Sequence, residues 1–218
     1  MLLIDTIFNI IAIITGLFCL RKGGPVILYL ILVIISLAFI NENVIVLHSN
    51  KWWHIKRNFF YNVYSILEMT GWYIIYYLIF SKRIKFFVLF FAVITLAGTI
   101  IEFLVRQSFN EFHTFSYAIF AVFSLVLSLT YNLKITWHDY HNLAHDPLFY
   151  TCAAAICFHS VFLLNLLTIM DEGYWTQAGA AKIFDYLQTA ATIIYYLLIC
   201  TAFIMFYYRS PKVRRVSY

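Results

Sequence analysis

Seven runs of about 20 predominantly apolar residues, joined by short polar connections, constrain this chain more than any other feature. They fall at residues 2–20, 25–47, 58–80, 86–105, 115–133, 147–170 and 186–208. Each is long enough to cross the hydrocarbon core of a bilayer as a helix. Barrel strands would instead alternate apolar and polar residues over about 10 positions. Lipid offers no partner to backbone N–H and C=O groups, so only helices or closed barrels span it. The runs therefore predict an all-α, polytopic membrane bundle of about seven transmembrane helices. Composition closes the other routes: 63% of residues are hydrophobic and 11% charged, against roughly a quarter charged in soluble domains. Disorder is excluded by the hydrophobicity, and a soluble enzyme on one anchor by its extent.

Local punctuation agrees. Gly23-Gly24-Pro25 reads as a break between two helices, with proline in the first turn of the second. Asp146-Pro147 reads as an N-cap followed by proline at the first helical position. The third proline, Pro211, lies beyond the last run, so none interrupts a span. Residues 1–218 are expected to form a single transmembrane domain with no soluble domain, since the longest connection, about 42–57, is too short for one. Within it, Trp52, Trp53, Lys51, Lys56 and Arg57 suit a headgroup-level segment.

The basic residues predict orientation. Arg21, Lys22, Lys82, Arg83, Lys85, Lys134, Arg209, Lys212, Arg214 and Arg215 would share one side. Lys51, Lys56, Arg57, Arg106 and Lys182 would share the other. The excess places the C-terminus in the cytoplasm and the N-terminus outside. The net charge of +5 then serves topology and attraction to anionic lipid, and no nucleic-acid partner is expected. Cys19, Cys152, Cys157 and Cys200 fall within the runs and form no CxxC motif, so they read as small apolar residues.

Against this background the deeply placed polar residues matter most, because a charge near the bilayer centre costs about 2.5–3.5 kcal/mol on insertion scales. Glu68 lies near the middle of the third run. Helical spacing places Tyr61, Tyr64, Ser65, Glu68 and Trp72 on one broad face, with Asn62 nearby. A bundle-facing carboxyl can exchange hydrogen bonds with tyrosine hydroxyls or asparagine amides, either as an interhelical clamp worth about 1 kcal/mol or as part of a ligand site. Other runs carry polar stripes too: Thr95, Gly98, Thr99, Glu102 and Arg106; Ser124, Ser128 and Asn132; and Asp185, Gln188, Thr189, Thr192 and Tyr196. Glu102 and Arg106 are spaced to pair at i, i+4. His159, Ser160 and Asn165 of the sixth run do not share one face. Converging stripes predict a polar interior cavity, with Glu68, Tyr64, Tyr61, Asn62, Trp72, Glu102 and Gln188 as candidate ligand-binding residues.

A second cluster precedes Pro147. His138, Asp139, His141 and His145 are metal-capable, and zinc takes three or four such ligands. The competing reading is an interfacial turn in which Asp146 caps the sixth helix. No HExxH motif occurs, and zinc is the one cofactor this chemistry suggests. The last run has no lysine at its centre, which excludes a retinal Schiff base.

Three segments carry a family likeness: Asn62-x-Tyr64-x-x-x-Glu68, Asp146-Pro147-Leu148-Phe149-Tyr150 and Ile193-Ile194-Tyr195-Tyr196-Leu197-Leu198. In these and in its layout the chain resembles an uncharacterised family of small seven-helix inner-membrane proteins of Bacteroidetes-type bacteria. The resemblance implies a bacterial inner-membrane location. Three functional classes follow from the residues. The first is a non-enzymatic module, a sensor or accessory subunit, that binds a small or lipidic ligand or a membrane protein partner through the cavity. The second is an intramembrane metal-dependent lipid hydrolase using the histidine cluster. The third is a proton-coupled transporter using Glu68 and Glu102.

Overall fold

Some hydrophobic runs are bounded by residues that stop or start a helix, while the last runs on as a helix through Pro211 to Val213. The computed structural model describes residues 2–21, 23–46, 57–106, 114–138, 145–169 and 178–213. Helix α1 (Leu2–Leu20) ends at a turn in which the Gly23 N–H donates to the Leu20 carbonyl at 2.9 Å. Gly23 takes φ 92°, a left-handed conformation that costs glycine nothing. Helix α2 (Val26–Ile40) follows, with Pro25 at the N-cap, one residue earlier than the sequence suggests. Then come α3 (Arg57–Ile79), α4 (Lys82–Arg106), α5 (Thr114–His138), α6 (Pro147–Ile169) and α7 (Ala178–Val213). At the start of α6, Asp146 Oδ1 accepts from the Leu148 N–H at 2.9 Å, the predicted cap, and Oδ2 accepts from the Tyr131 hydroxyl at 3.1 Å.

One departure matters for the site. The connection expected from residue 42 onward does not begin there. Helix α2 runs on into a π-helical turn, Asn41–Val46. A π turn holds more residues per turn than an α turn, so it re-aims the side chains that follow it. The turn is tied to the start of α1, where the Thr6 hydroxyl donates to Asn43 Oδ1 at 2.9 Å.

Five stretches are long and apolar enough to cross a membrane: Val26–Ile45, Lys82–Val105, Thr114–Trp137, Pro147–Asn165 and Asp185–Tyr208. The other two helices fall outside this set. The apolar part of α1, Ile4–Leu20, is shorter, and α3 carries Asn58, Asn62, Ser65 and Glu68 among five tyrosines and a tryptophan. On α3, Asn62, Ser65 and Glu68 are buried, while Asn58 and Thr70 are exposed. The described residues form an all-helical bundle in which each helix packs on the next in the chain, and α7 closes the ring onto α1. Helix α3 also reaches across to α5. The core holds Trp72, Tyr76, Phe120, Ile199 and Phe203, while Leu89, Val93, Leu104 and Leu133 face outward. An apolar exterior of this kind suits lipid contact.

Candidate functional site

Helical spacing does the first part of building the site. Tyr61, Tyr64, Ser65 and Glu68 stand at i, i+3, i+4 and i+7 on α3 and share its inward face. They line a cavity of about 270 Å³. Helix α7 supplies Gln188, Thr192, Tyr195 and Tyr196, again at near-helical repeats. Helix α5 supplies Tyr117, and Phe158 and Phe162 of α6 form an apolar wall. The π turn turns Glu42 into the same space, and α1 adds Asp5. Three carboxyl groups and five tyrosines therefore meet in one cavity, whose described lining includes no Lys, Arg or His.

Glu68 is 7% exposed and is held from the opposite side of the bundle. The Tyr117 hydroxyl donates to its Oε2 at 2.9 Å. At the rim, Asn165 Nδ2 donates to Gln188 Oε1 at 2.7 Å, joining α6 to α7. The Thr192 hydroxyl bonds back to the Gln188 carbonyl, and the Ser65 hydroxyl to the Tyr61 carbonyl. Chemically the walls are rich in hydrogen-bond acceptors and aromatic faces, a lining complementary to donors and cations.

Of the predicted ligand-binding residues, the structure brings Glu68, Tyr64, Tyr61 and Gln188 together at this cavity. It places the other three elsewhere. Asn62 is buried but turns off the lining face, as a residue about 100° from Tyr61 must. Trp72 lies one turn deeper than Glu68, where its ring meets Tyr76 at 5.7 Å and His159 at 6.2 Å. Glu102 belongs to α4, which contributes nothing to the cavity, and it secures the start of α5. Its Oε1 accepts from the Phe115 N–H at 3.2 Å, and its Oε2 accepts from the Ser116 N–H at 2.9 Å and the Ser116 hydroxyl at 2.7 Å. A carboxylate at a helix N-terminus satisfies orphan donors and opposes the helix dipole.

Sequence reasoning missed Asp5, Glu42, Tyr117 and Tyr195 as site residues. Asp5 and Glu42 sit at run ends, where charge is cheap and carries no signal of depth. Tyr117 is one aromatic among several on a run whose visible polar stripe begins at Ser124. That stripe has a different partner: the Tyr76 hydroxyl lies 2.6 Å from Ser124 Oγ and 2.8 Å from Ser128 Oγ. His159 is 0% exposed and boxed by Phe120, Phe158, Trp72 and Tyr117. Neither of its ring nitrogens has a hydrogen-bond partner among the described residues, nor has Trp72 Nε1.

Asp139, His141 and the side chain of His138 lie outside the described residues, and His145 is exposed. Among the described residues, no group of three or more His, Cys, Asp or Glu is placed to hold a metal ion. All four cysteines are free.

Compared with known protein families, curated proteins and solved structures, the chain matches none.

Proposed function

We propose that this chain is a non-enzymatic seven-helix membrane module that binds a small or lipidic ligand, or a segment of a membrane protein partner, in the Glu68 cavity. The observation that carries it is convergence. Asp5, Glu42, Glu68 and five tyrosines from separate helices line one cavity of about 270 Å³. Burying a carboxyl in a bundle is costly, and such residues in membrane proteins are commonly functional. The acceptor-rich lining favours a ligand that brings donors or positive charge. All seven helices span the bilayer in this reading, α1 and α3 included, because Asn9 of α1 and Asn62, Ser65 and Glu68 of α3 are buried in the bundle. The excess of Lys and Arg around α1–α2, α3–α4 and the end of α7 sets the N-terminus outside and the C-terminus in the cytoplasm. The cavity then opens toward the outer face, the end that holds Asp5 and Tyr61. Such a module serves as a sensor or accessory subunit, in keeping with the bacterial inner-membrane location implied by the resemblance.

The test is a thermal-shift screen of amines, polyols and lipids on the protein in nanodiscs, with Glu68→Gln and Tyr64→Phe alongside. A compound that stabilises the parent and loses at least tenfold in apparent affinity on both variants supports the reading. Equal stabilisation of parent and variants overturns it.

The addition of Asp5 and Glu42 to Glu68 favours a second reading, proton-coupled transport, since carboxyl groups in sequence are the usual relay in transporters. It predicts pH-driven uptake into proteoliposomes that Glu68→Gln abolishes.

A further inference from the structure

A groove runs along the outside of the bundle between α3 and α4, lined by neither Glu68 nor any other residue of the cavity described above. It has a volume of about 450 Å³. On α3 it runs from Ile66 to Tyr77, and on α4 from Val88 to Thr99. Eleven helical steps cover about 16 Å, roughly the depth of one leaflet of a 30 Å hydrocarbon core. That volume over that length leaves room for a single extended alkyl chain.

The lining also selects against a polar occupant. Five hydroxyl-bearing residues line the groove, and four of their hydroxyls are engaged within the protein. Tyr73 and Thr95 bond each other at 2.7 Å, Thr99 donates to the Thr95 carbonyl at 2.9 Å, and Thr70 donates to the Ile66 carbonyl at 2.7 Å. What remains, apart from Tyr77 at one end, is hydrocarbon and aromatic surface.

One end of the groove is strongly basic. Lys85 Nζ sits 4.5 Å from the centroid of the Tyr77 ring, which lines that end. Lys82 and Arg83 are exposed at the start of the same helix. No Asp or Glu occurs in the chain between Glu68 and Glu102, so neither α3 beyond Glu68 nor α4 before Glu102 offsets this charge.

We propose that the α3–α4 groove is a binding site for an anionic phospholipid of the surrounding bilayer. One acyl chain lies along the groove, and the phosphate meets Lys82, Arg83 and Lys85. Shape selects the chain and charge selects the headgroup, and both lie at the spacing of one lipid molecule. The site is independent of the Glu68 cavity and of any ligand there.

The experiment uses delipidated full-length protein in detergent, titrated with phosphatidylglycerol or phosphatidylcholine and followed by thermal midpoint and native mass spectrometry. Phosphatidylglycerol is expected to bind the parent at least tenfold more tightly than phosphatidylcholine. Lys82→Gln/Lys85→Gln is expected to remove that preference. Ala92→Phe, which fills the groove, is expected to weaken both lipids at least tenfold, and Val93→Phe serves the same purpose if Ala92→Phe does not fold. Equal binding of the two lipids to the parent overturns the proposal. So does a preference that survives the charge variant. Loss on the charge variant with no loss on either groove-filling variant also overturns it, because it shows a surface charge effect without a site.

Discussion

The Tyr117 hydroxyl donates to Glu68 Oε2 at 2.9 Å, a bond that spans the bundle from α5 to α3. It ties the central acid directly to the far wall of its cavity. Tyr117 in turn packs edgewise on Phe120 and beside Phe162, so its ring is held by apolar contact while its hydroxyl is held by the acid. Such a bond stabilises both the fold and the orientation of Glu68. Tyr117→Phe is expected to cost about 1–2 kcal/mol of stability. Glu68→Gln keeps an acceptor in place and is expected to cost less. The double variant should fall short of additivity by about 1 kcal/mol, measured by unfolding in mixed micelles. Full additivity would show that the two side chains do not interact.

Glu102 is expected to behave differently from Glu68 although both are buried acids. It accepts three hydrogen bonds at the start of α5. Glu102→Ala should destabilise the protein by about 1–3 kcal/mol through loss of that cap. Hydrogen exchange should accelerate first at Phe115 and Ser116. Ligand association at the Glu68 cavity should be retained once the protein is folded. A variant that lost association while keeping its stability would assign Glu102 to the cavity after all.

His159 offers a test of opposite sign. Its imidazole is enclosed by aromatic rings, and no described residue bonds either nitrogen. An apolar replacement of similar shape removes two unpaired polar atoms at little cost in packing. His159→Phe is therefore expected to leave the thermal midpoint unchanged or raised. His159→Ala should cost about 2–4 kcal/mol, because it opens a cavity in the core. A marked loss with phenylalanine would show that the ring nitrogens are bonded in the folded protein.

Asp146 gives the simplest prediction. One oxygen caps α6 and the other accepts from Tyr131 of α5. Asp146→Ala should cost about 1–2 kcal/mol, and Asp146→Asn about half as much, since asparagine also caps well. Thermal unfolding of the two variants in one detergent checks the order.

Much of this architecture was legible in the chain because the lipid-crossing requirement is one-dimensional. Run length and proline position report helices, and the Asp146-Pro147 cap appeared at the expected atoms. The helical face of α3 was legible for the same reason. Tyr61, Tyr64, Ser65 and Glu68 follow from spacing alone, and they do line the cavity. Reach was less legible. Spacing assigns Trp72 to the same face as Glu68, but the cavity ends a turn before it. Glu102 is as buried as Glu68, yet its helix does not reach the polar cavity.

The sequence by itself determined that the chain is an apolar helical protein, which helices it has, and which side of α3 is polar. Helical periodicity and the cost of unpaired backbone in lipid are local rules, so they can be read without neighbours. Only the tertiary structure decided that Asp5 and Glu42, written at the ends of runs, join Glu68 in one cavity. It likewise decided that Tyr117 holds that acid. The reason is physical: α7 closes the ring onto α1, and a π turn rotates Glu42 inward. Which side chains then meet depends on distances between helices, and a single chain's pattern does not encode those distances locally.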